Sequence, residues 1–169
     1  RKEDFEATEA RHPFLIDLKM GVTREGTITA IVMKAVMDVG GYGPHAVGVL
    51  ANAMSKAVLM YKCPNISFEG FSVYTNQSLC GAFRGYGNPQ VNFAVESMMD
   101  RVAERLQLDP VELRLKNYRG MNETDPLSGK TILSDGMKEC LRRGAERFGW
   151  NFSEKREPAV DGKRYGVGM

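Results

Sequence analysis

The sequence predicts an α+β protein, a mixed-sheet arrangement of α/β layers, and three observations carry that prediction. Early runs of the chain hold apolar residues at strand spacing, one of them alternating along its whole length. Later runs repeat apolar residues at i, i+3, i+4 and i+7, the spacing of a helix with one buried face. Strands and helices follow one another without the strict alternation of a purely parallel βαβ sheet.

Taken in order, residues 1–10 are charged and carry little pattern. Phe14, Ile16, Leu18 and Met20 then alternate with Leu15, Asp17 and Lys19, giving a strand with one apolar face. Thr23-Arg24-Glu25-Gly26 reads as a turn, with Gly26 where a positive φ is needed. Residues 27–39 are apolar on both faces apart from Lys34, so they predict a buried strand paired with the first. Gly40-Gly41-Tyr42-Gly43-Pro44 breaks the chain. Val47, Leu50, Ala51, Met54, Ala57, Val58 and Tyr61 mark a helix that Pro64 prevents from extending. An aromatic and β-branched run over 68–74 predicts a further strand.

A helix with Val91, Val95, Met98 and Val102 on one face runs to about Leu106, with Asn88 as its cap and Pro89 at its first position. Asp109, Pro110 and Glu112 stand in capping-box register for the next helix. Residues 120–130 form a loop, Ser134 caps a last helix with Cys140, Leu141 and Ala145 towards the core, and that helix ends near Gly149. Residues 153–163 are a polar linker, and 166–169 resemble the start of a strand.

Composition excludes several function classes. The chain has 169 residues, 43% of them apolar, enough for one core. Its 23 basic and 21 acidic residues leave a net charge of +2, too even to mark a nucleic-acid surface. Arg142, Arg143 and Arg147 read as a solvated helix face. Three widely spaced cysteines fit neither a disulfide framework nor a zinc or iron–sulfur set, and point to a reducing, cytoplasmic compartment. No apolar run approaches the roughly 20 residues of a membrane span. No signal peptide opens the chain, and the first residue, Arg1, suggests a processed chain or an excerpt.

The stretch with the most chemistry in it is Cys80-Gly81-Ala82-Phe83-Arg84-Gly85-Tyr86-Gly87-Asn88-Pro89-Gln90, a glycine-rich loop between a strand and a helix. Its glycines allow positive φ, so backbone N–H groups can turn towards one point and, with the free N–H groups of the helix start, cradle an anion or an oxo group. It is not a P-loop, since no Gly-Lys-Ser/Thr follows, nor a dinucleotide fingerprint, since Gln90 occupies the third glycine position. A tight turn that merely needs glycines is the plain alternative.

This loop resembles the Ala-Phe-Arg-Gly-aromatic-Gly-x-Pro-Gln signature of the molybdenum hydroxylases, the xanthine dehydrogenase and aldehyde oxidase family. Arg11-His12-Pro13, Asp38-Val39-Gly40-Gly41-Tyr42-Gly43, Tyr61-Lys62-Cys63-Pro64-Asn65 and Asp109-Pro110-Val111-Glu112-Leu113-Arg114-Leu115-Lys116-Asn117 are similar to further family segments, in order. The resemblance implies part of the first half of the molybdopterin-binding region of the large subunit. Residues 1–122 would belong to the first cofactor-binding domain, with the cofactor loop at 80–88. Residues 123–169 would be a loop, helix and linker leading to a second half that lies outside this chain.

Members of the family hydroxylate N-heteroaromatics, aldehydes and related substrates with oxygen from water. They use a molybdopterin-type molybdenum cofactor and pass electrons to 2Fe-2S clusters and commonly FAD on partner domains or subunits. The resemblance therefore implies as partners the rest of the large subunit, the iron–sulfur and FAD units and a small-molecule substrate. Carried over, Gly81, Ala82, Phe83, Arg84 and Gly85 would bind the cofactor, with Arg84 beside the molybdenum through its backbone, and Tyr86 would face the substrate. Asn52 falls where xanthine-specific members carry a substrate-orienting arginine, which weakens the case for a purine. The family's catalytic carboxylate belongs to a segment absent here, so no catalytic residue is expected in this chain, and the chain alone is expected to be inactive. Gly85 also stands where the carbon monoxide-oxidising branch has a cysteine.

Other readings compete. A non-catalytic assembly module could keep the fold without the cofactor. His12 reads as a loop histidine, His45 as a helix opener near the loop, Cys80 as a small core filler and the methionines as helix-face core.

Overall fold

The computed structural model describes residues 1–153 together with 162, 166 and 168. Most of the expected linker over 153–163 and half of the expected strand start over 166–169 therefore fall outside the described residues. The elements run α1 (Lys2–Ala7), β1 (Phe14–Val22), β2 (Ile28–Asp38), α2 (Ala46–Leu59), β3 (Asn65–Val73), α3 (Asn88–Leu106), α4 (Pro110–Asn117) and α5 (Met137–Phe148). The short helix α1, in the charged segment, was not foreseen; a six-residue helix leaves too little periodicity to read.

β1 and β2 form the expected antiparallel hairpin, with Gly26 at φ 81° in its turn. α2 then crosses over, and β3 joins β2 in parallel, completing a mixed sheet in the order β1-β2-β3. Facing rows Ile16–Ala35, Leu18–Met33–Phe68 and Met20–Ile31–Ile66 place the apolar side chains of all three strands on one face. α3 lies across that face and buries Val91, Val95, Met99, Val102 and Ala103 against it. Met98, expected on the buried stripe, is only half-buried; Met99 takes that place.

β2 is not buried on both sides. Ile31, Met33, Ala35 and Met37 are inside, while Val32, at 48% exposure, and Lys34 face outwards. The outer face carries a row Leu15–Val36–Phe71 and a charged row Asp17–Lys34–Glu69, whose Lys34 and Glu69 stand 3.6 Å apart. Apolar residues on both faces of a strand permit two covers, but among the described residues helices supply one.

Two helices also turn differently from expectation. α2 buries Val49 and Ala53, whereas Val47 is 78% exposed and Ala51 is also outside; Tyr61 is buried beyond the helix end. Leu50 fits over Gly70 of β3, where a Cβ would stand 2.9 Å from its Cδ2. α5 rests on α4 with Leu141 and Ala145 half-buried, but Cys140 is exposed and no residue of α5 is fully buried. Ser134 does not cap it; Asp135 Oδ1 accepts from the Met137 N–H at 3.2 Å.

α4 begins as expected, with the Asp109 carboxylate accepting from the Val111 N–H at 2.7 Å. From it Arg114 reaches into the α3 contact. Its Nε donates to Glu96 Oε2 at 2.6 Å, its Nη2 to Asp100 Oδ1 at 2.8 Å and its Nη1 to the Pro110 carbonyl at 3.2 Å. Tyr61 Oη donates to the other oxygen of Glu96 at 2.7 Å, and burial with the Glu96 charge beside it pushes the phenol pKa well up. Burial alone would lower the Arg114 pKa, but the Glu96 hydrogen bond and charge raise it. Asn117 accepts from the Ile28 N–H at 2.9 Å and donates to the Gly26 and Leu113 carbonyls, tying α4 to the start of β2.

Candidate functional site

The chain enters the loop beside its own N-terminal segment. The Ala10 N–H donates to the Leu79 carbonyl at 3.0 Å and the Gly81 N–H to the Ala10 carbonyl at 3.1 Å, which fixes Cys80 in the interior. A Cβ at Gly81 would meet only the end of the exposed Glu9 side chain, which is free to swing aside. Turns follow in close succession: Phe83 N–H to Gly81 at 2.9 Å, Tyr86 N–H to Phe83 at 2.8 Å and Asn88 N–H to Gly85 at 2.9 Å.

Three consecutive residues take positive φ: Gly85 at 97°, Tyr86 at 47° and Gly87 at 91°. A Cβ at Gly85 would stand 2.6 Å from Pro89 Cγ, and one at Gly87 2.6 Å from the Val49 carbonyl oxygen. Tyr86 has no such excuse. A non-glycine residue held there costs about 1–3 kcal/mol, and such outliers gather at binding sites.

Three of the loop's N–H groups, those of Phe83, Tyr86 and Asn88, serve its own turns, and that of Gly81 pairs with Ala10. Those of Ala82, Arg84, Gly85 and Gly87, and of Gln90 in the first turn of α3, have no acceptor among the described residues. The helix cap differs from expectation: Gly87 is the N-cap, and α3 begins at Asn88 with Pro89 second. The side chain of Asn88 is engaged elsewhere, its Oδ1 accepting from Asn52 Nδ2 at 2.9 Å.

That contact brings the expected site residues together. Asn52, on α2, donates its second amide proton to the Tyr86 carbonyl at 2.7 Å. The Tyr86 ring, half-buried, packs on the small cluster of Met37, Val39 and Val49. Its hydroxyl lies 3.2 Å from His45 Nδ1 and fills the space over Gly48, where a Cβ would stand 2.7 Å from it. Tyr86 therefore has more packing partners than two flanking glycines suggest. Ala82, Phe83, Arg84 and Gly85 are exposed.

Arg11, Gln90 and Gly48 were given no site role from sequence, although Arg11 and Gln90 stand within the quoted motifs. Arg11 Nη2 donates to the Arg84 carbonyl at 2.7 Å, and its guanidinium stacks 4.6 Å from the Phe83 ring centre. Gln90 Nε2 donates to the His12 carbonyl at 2.8 Å. His12 lies in the loop before β1, as expected, and is buried there, 2% exposed, with Nδ1 at 2.7 Å from the Asp38 carbonyl oxygen. Cys80 is the core filler expected, and burial beside Asp38 raises its thiol pKa. Asp38 accepts from the Gly40 N–H and the Thr75 hydroxyl, which holds its carboxyl below the usual range.

Chemically, the loop can offer several backbone donors to an electron-rich group, and it has no side-chain base of its own. Among the described residues, no three His, Cys, Asp or Glu stand together as a metal-binding group. Two surface concavities, one between α4 and α5 and one beside Met60, Asn92 and Tyr118, lie away from the loop. Nor is any helix among the described residues long and apolar enough to cross a membrane.

Known proteins match this arrangement along the whole chain. A family model described as molybdopterin cofactor-binding domain covers residues 1–118. The xanthine dehydrogenase molybdenum-binding subunit of Escherichia coli O157:H7 is 40% identical over 173 residues, covering 100% of this chain and 23% of that protein. The nicotinate dehydrogenase large molybdopterin subunit of Eubacterium barkeri is 32% identical, covering 87% of this chain and 35% of that protein. Among solved structures, the aldehyde oxidoreductase of Desulfovibrio gigas superposes with a TM-score of 0.76 at 31% identity, covering 88% of this chain and 16% of that one. The chain thus spans about a quarter of the length of the first curated relatives it matches.

Proposed function

The chain belongs to the molybdopterin cofactor-binding domain family, and from that premise we propose that its loop forms one wall of a molybdenum-cofactor site in an oxidoreductase. The reaction proposed is hydroxylation of an N-heteroaromatic, aldehyde or related substrate with oxygen from water. The observation that carries the reading is the set of N–H groups without an acceptor among the described residues, on a loop where Gly85 and Gly87 leave no room for a side chain. Those features fit a metal that arrives in its own organic ligand and is met by backbone donors rather than by protein ligands. When bound, that cofactor supplies the oxygen transfer and accepts the two electrons.

The chain's residues do the holding. Gly81, Ala82, Phe83, Arg84 and Gly85 contact the cofactor through their backbone, with Arg84 on the metal side. Tyr86 presents its ring to a flat substrate, where stacking is worth about 0.5–1.5 kcal/mol beyond area burial. Asn52 stands behind it, holding the Tyr86 carbonyl in place; only its own carbonyl oxygen is left to meet a substrate. A neutral amide there favours substrates other than purines. The proton-abstracting carboxylate comes from outside the chain, and electrons leave to 2Fe-2S clusters and FAD on partner domains or subunits. Residues 1–122 form part of the first cofactor domain, and 123–169 lead away from it towards the second half. The three free thiols suit a reducing cytoplasm.

Elemental analysis of the complete enzyme tests the reading: stoichiometric molybdenum is expected there. The 169-residue chain alone is expected to hold none and to oxidise neither an aldehyde nor a heterocycle with a dye acceptor. A complete enzyme without molybdenum would favour an assembly module instead.

A further inference from the structure

The Arg11-His12-Pro13 segment has no part in the reading above, yet it meets the loop from both sides. Ala10 pairs with Leu79 and Gly81, Gln90 holds the His12 carbonyl, and the Arg11 side chain holds the Arg84 carbonyl. The last contact matters most, because a trans peptide is planar and its C=O and N–H point opposite ways. Whatever holds the Arg84 carbonyl therefore aims the Gly85 N–H, one of the amides without an acceptor.

This peptide unit is also the one that most needs holding. Gly85 sits at φ 97°, and glycine passes easily between positive and negative φ, so nothing intrinsic stops the unit from turning over. Turned over, it would present a carbonyl oxygen where the site needs a donor. A charged donor on the carbonyl makes a stronger bond than a neutral one and polarises the peptide, which improves its N–H as a donor. The flat guanidinium is fixed in turn by the Phe83 ring 4.6 Å away. Its other terminal nitrogen, Nη1, is buried without an acceptor among the described residues, beside the bare face of Gly85, where a Cβ would stand 3.5 Å from it. A terminal nitrogen buried without an acceptor is a poor device for stability.

We propose that Arg11 is a positioning residue: it locks the Arg84–Gly85 peptide so that the Gly85 N–H faces the cofactor. Its value to the cofactor rests on the function proposed above; its hold on the loop does not. Asn52 acts in the same manner two peptides on, through the Tyr86 carbonyl.

The test compares wild-type holoenzyme with Arg11→Met and Arg11→Lys, reading hydrogen exchange of the 80–88 loop, molybdenum per subunit and melting temperature. Arg11→Met is expected to raise loop exchange by about tenfold, the sign of local opening, and to lose molybdenum, with little change in melting temperature. Arg11→Lys keeps a donor without the flat fork and should fall between the two. Unchanged loop exchange in Arg11→Met overturns the proposal. So does faster exchange spread over the sheet with a falling melting temperature, which would make Arg11 a stability residue. A wild-type enzyme without molybdenum would remove the cofactor reading, and loop exchange would still decide the role of Arg11.

Discussion

Around Arg114 each nitrogen of a buried guanidinium finds an acceptor, from Glu96, Asp100 and Pro110, and the neighbouring Tyr61 joins the same network. Around Arg11 the pattern reverses. Arg11 Nη1, His12 Nε2 and Gln90 Oε1 are three of the four buried side-chain polar atoms without a partner among the described residues, and all belong to the segments that bracket the loop. The same few elements thus hold one polar cluster that is complete and one that is not. Natural interiors rarely leave such groups unpaired, so the difference separates a region built for stability from one built to meet something else.

The largest effect should come from breaking the complete cluster. Arg114→Met takes the buried cation from a half-buried Glu96 carboxylate that keeps only its Tyr61 bond. Removing one partner of a fully buried ion pair costs about 3–5 kcal/mol, and the partial exposure of Glu96 and Asp100 puts the loss at or below the low end of that range. Denaturant unfolding of the complete enzyme should register that loss, while molybdenum per folded subunit stays unchanged. A fall in molybdenum without a loss of stability would erase the contrast between the two regions.

Tyr86→Ala sharpens the comparison from the other side. A core aromatic would cost roughly 3–5 kcal/mol when truncated. Tyr86 is half-buried and strained, so the stability loss should be smaller and the second-order rate constant should carry the main effect. A large loss of stability, with the rate constant per molybdenum-loaded enzyme unchanged, would move Tyr86 into the structural region.

The smallest effect concerns Asp38, whose folded pKa is depressed by the Gly40 N–H and the Thr75 hydroxyl. A depressed carboxylate pKa contributes stability that is fully present above the unfolded value of about 4 and is lost as pH falls through the folded value. Acid titration of melting temperature should therefore show a step below the ordinary Asp range that Asp38→Asn abolishes. An identical acid profile in the variant would discount the carboxylate.

Much of this was legible in the sequence, and the exceptions share a cause. The hairpin, the end of α3 at Leu106, the Asp109 cap and the positive φ of Gly26 all depend on a few adjacent residues, and all were expected. The burial faces of α2, β2 and α5 were not, because each depends on what lies opposite. Val49 turns inwards since the loop packs at Gly48 and Gly87, and Val32 and Val36 lie on the face of the sheet that no helix among the described residues covers. For the site, the motif exposed the loop itself. Arg11 and Asn52 approach it from 73 and 34 residues away along the chain, and no local pattern announces that a side chain will end on a particular carbonyl.

The central claim, that the loop meets the cofactor through its backbone, is tested most directly by molybdenum analysis of the Gly85→Val holoenzyme. Valine would collide with Pro89 and would have to hold a φ of 97°, at a cost of about 1–3 kcal/mol in strain. The account predicts a folded protein with its Arg114 cluster intact, stripped of most of its molybdenum and inactive. A Gly85→Val enzyme with the wild-type molybdenum content and rate would contradict it.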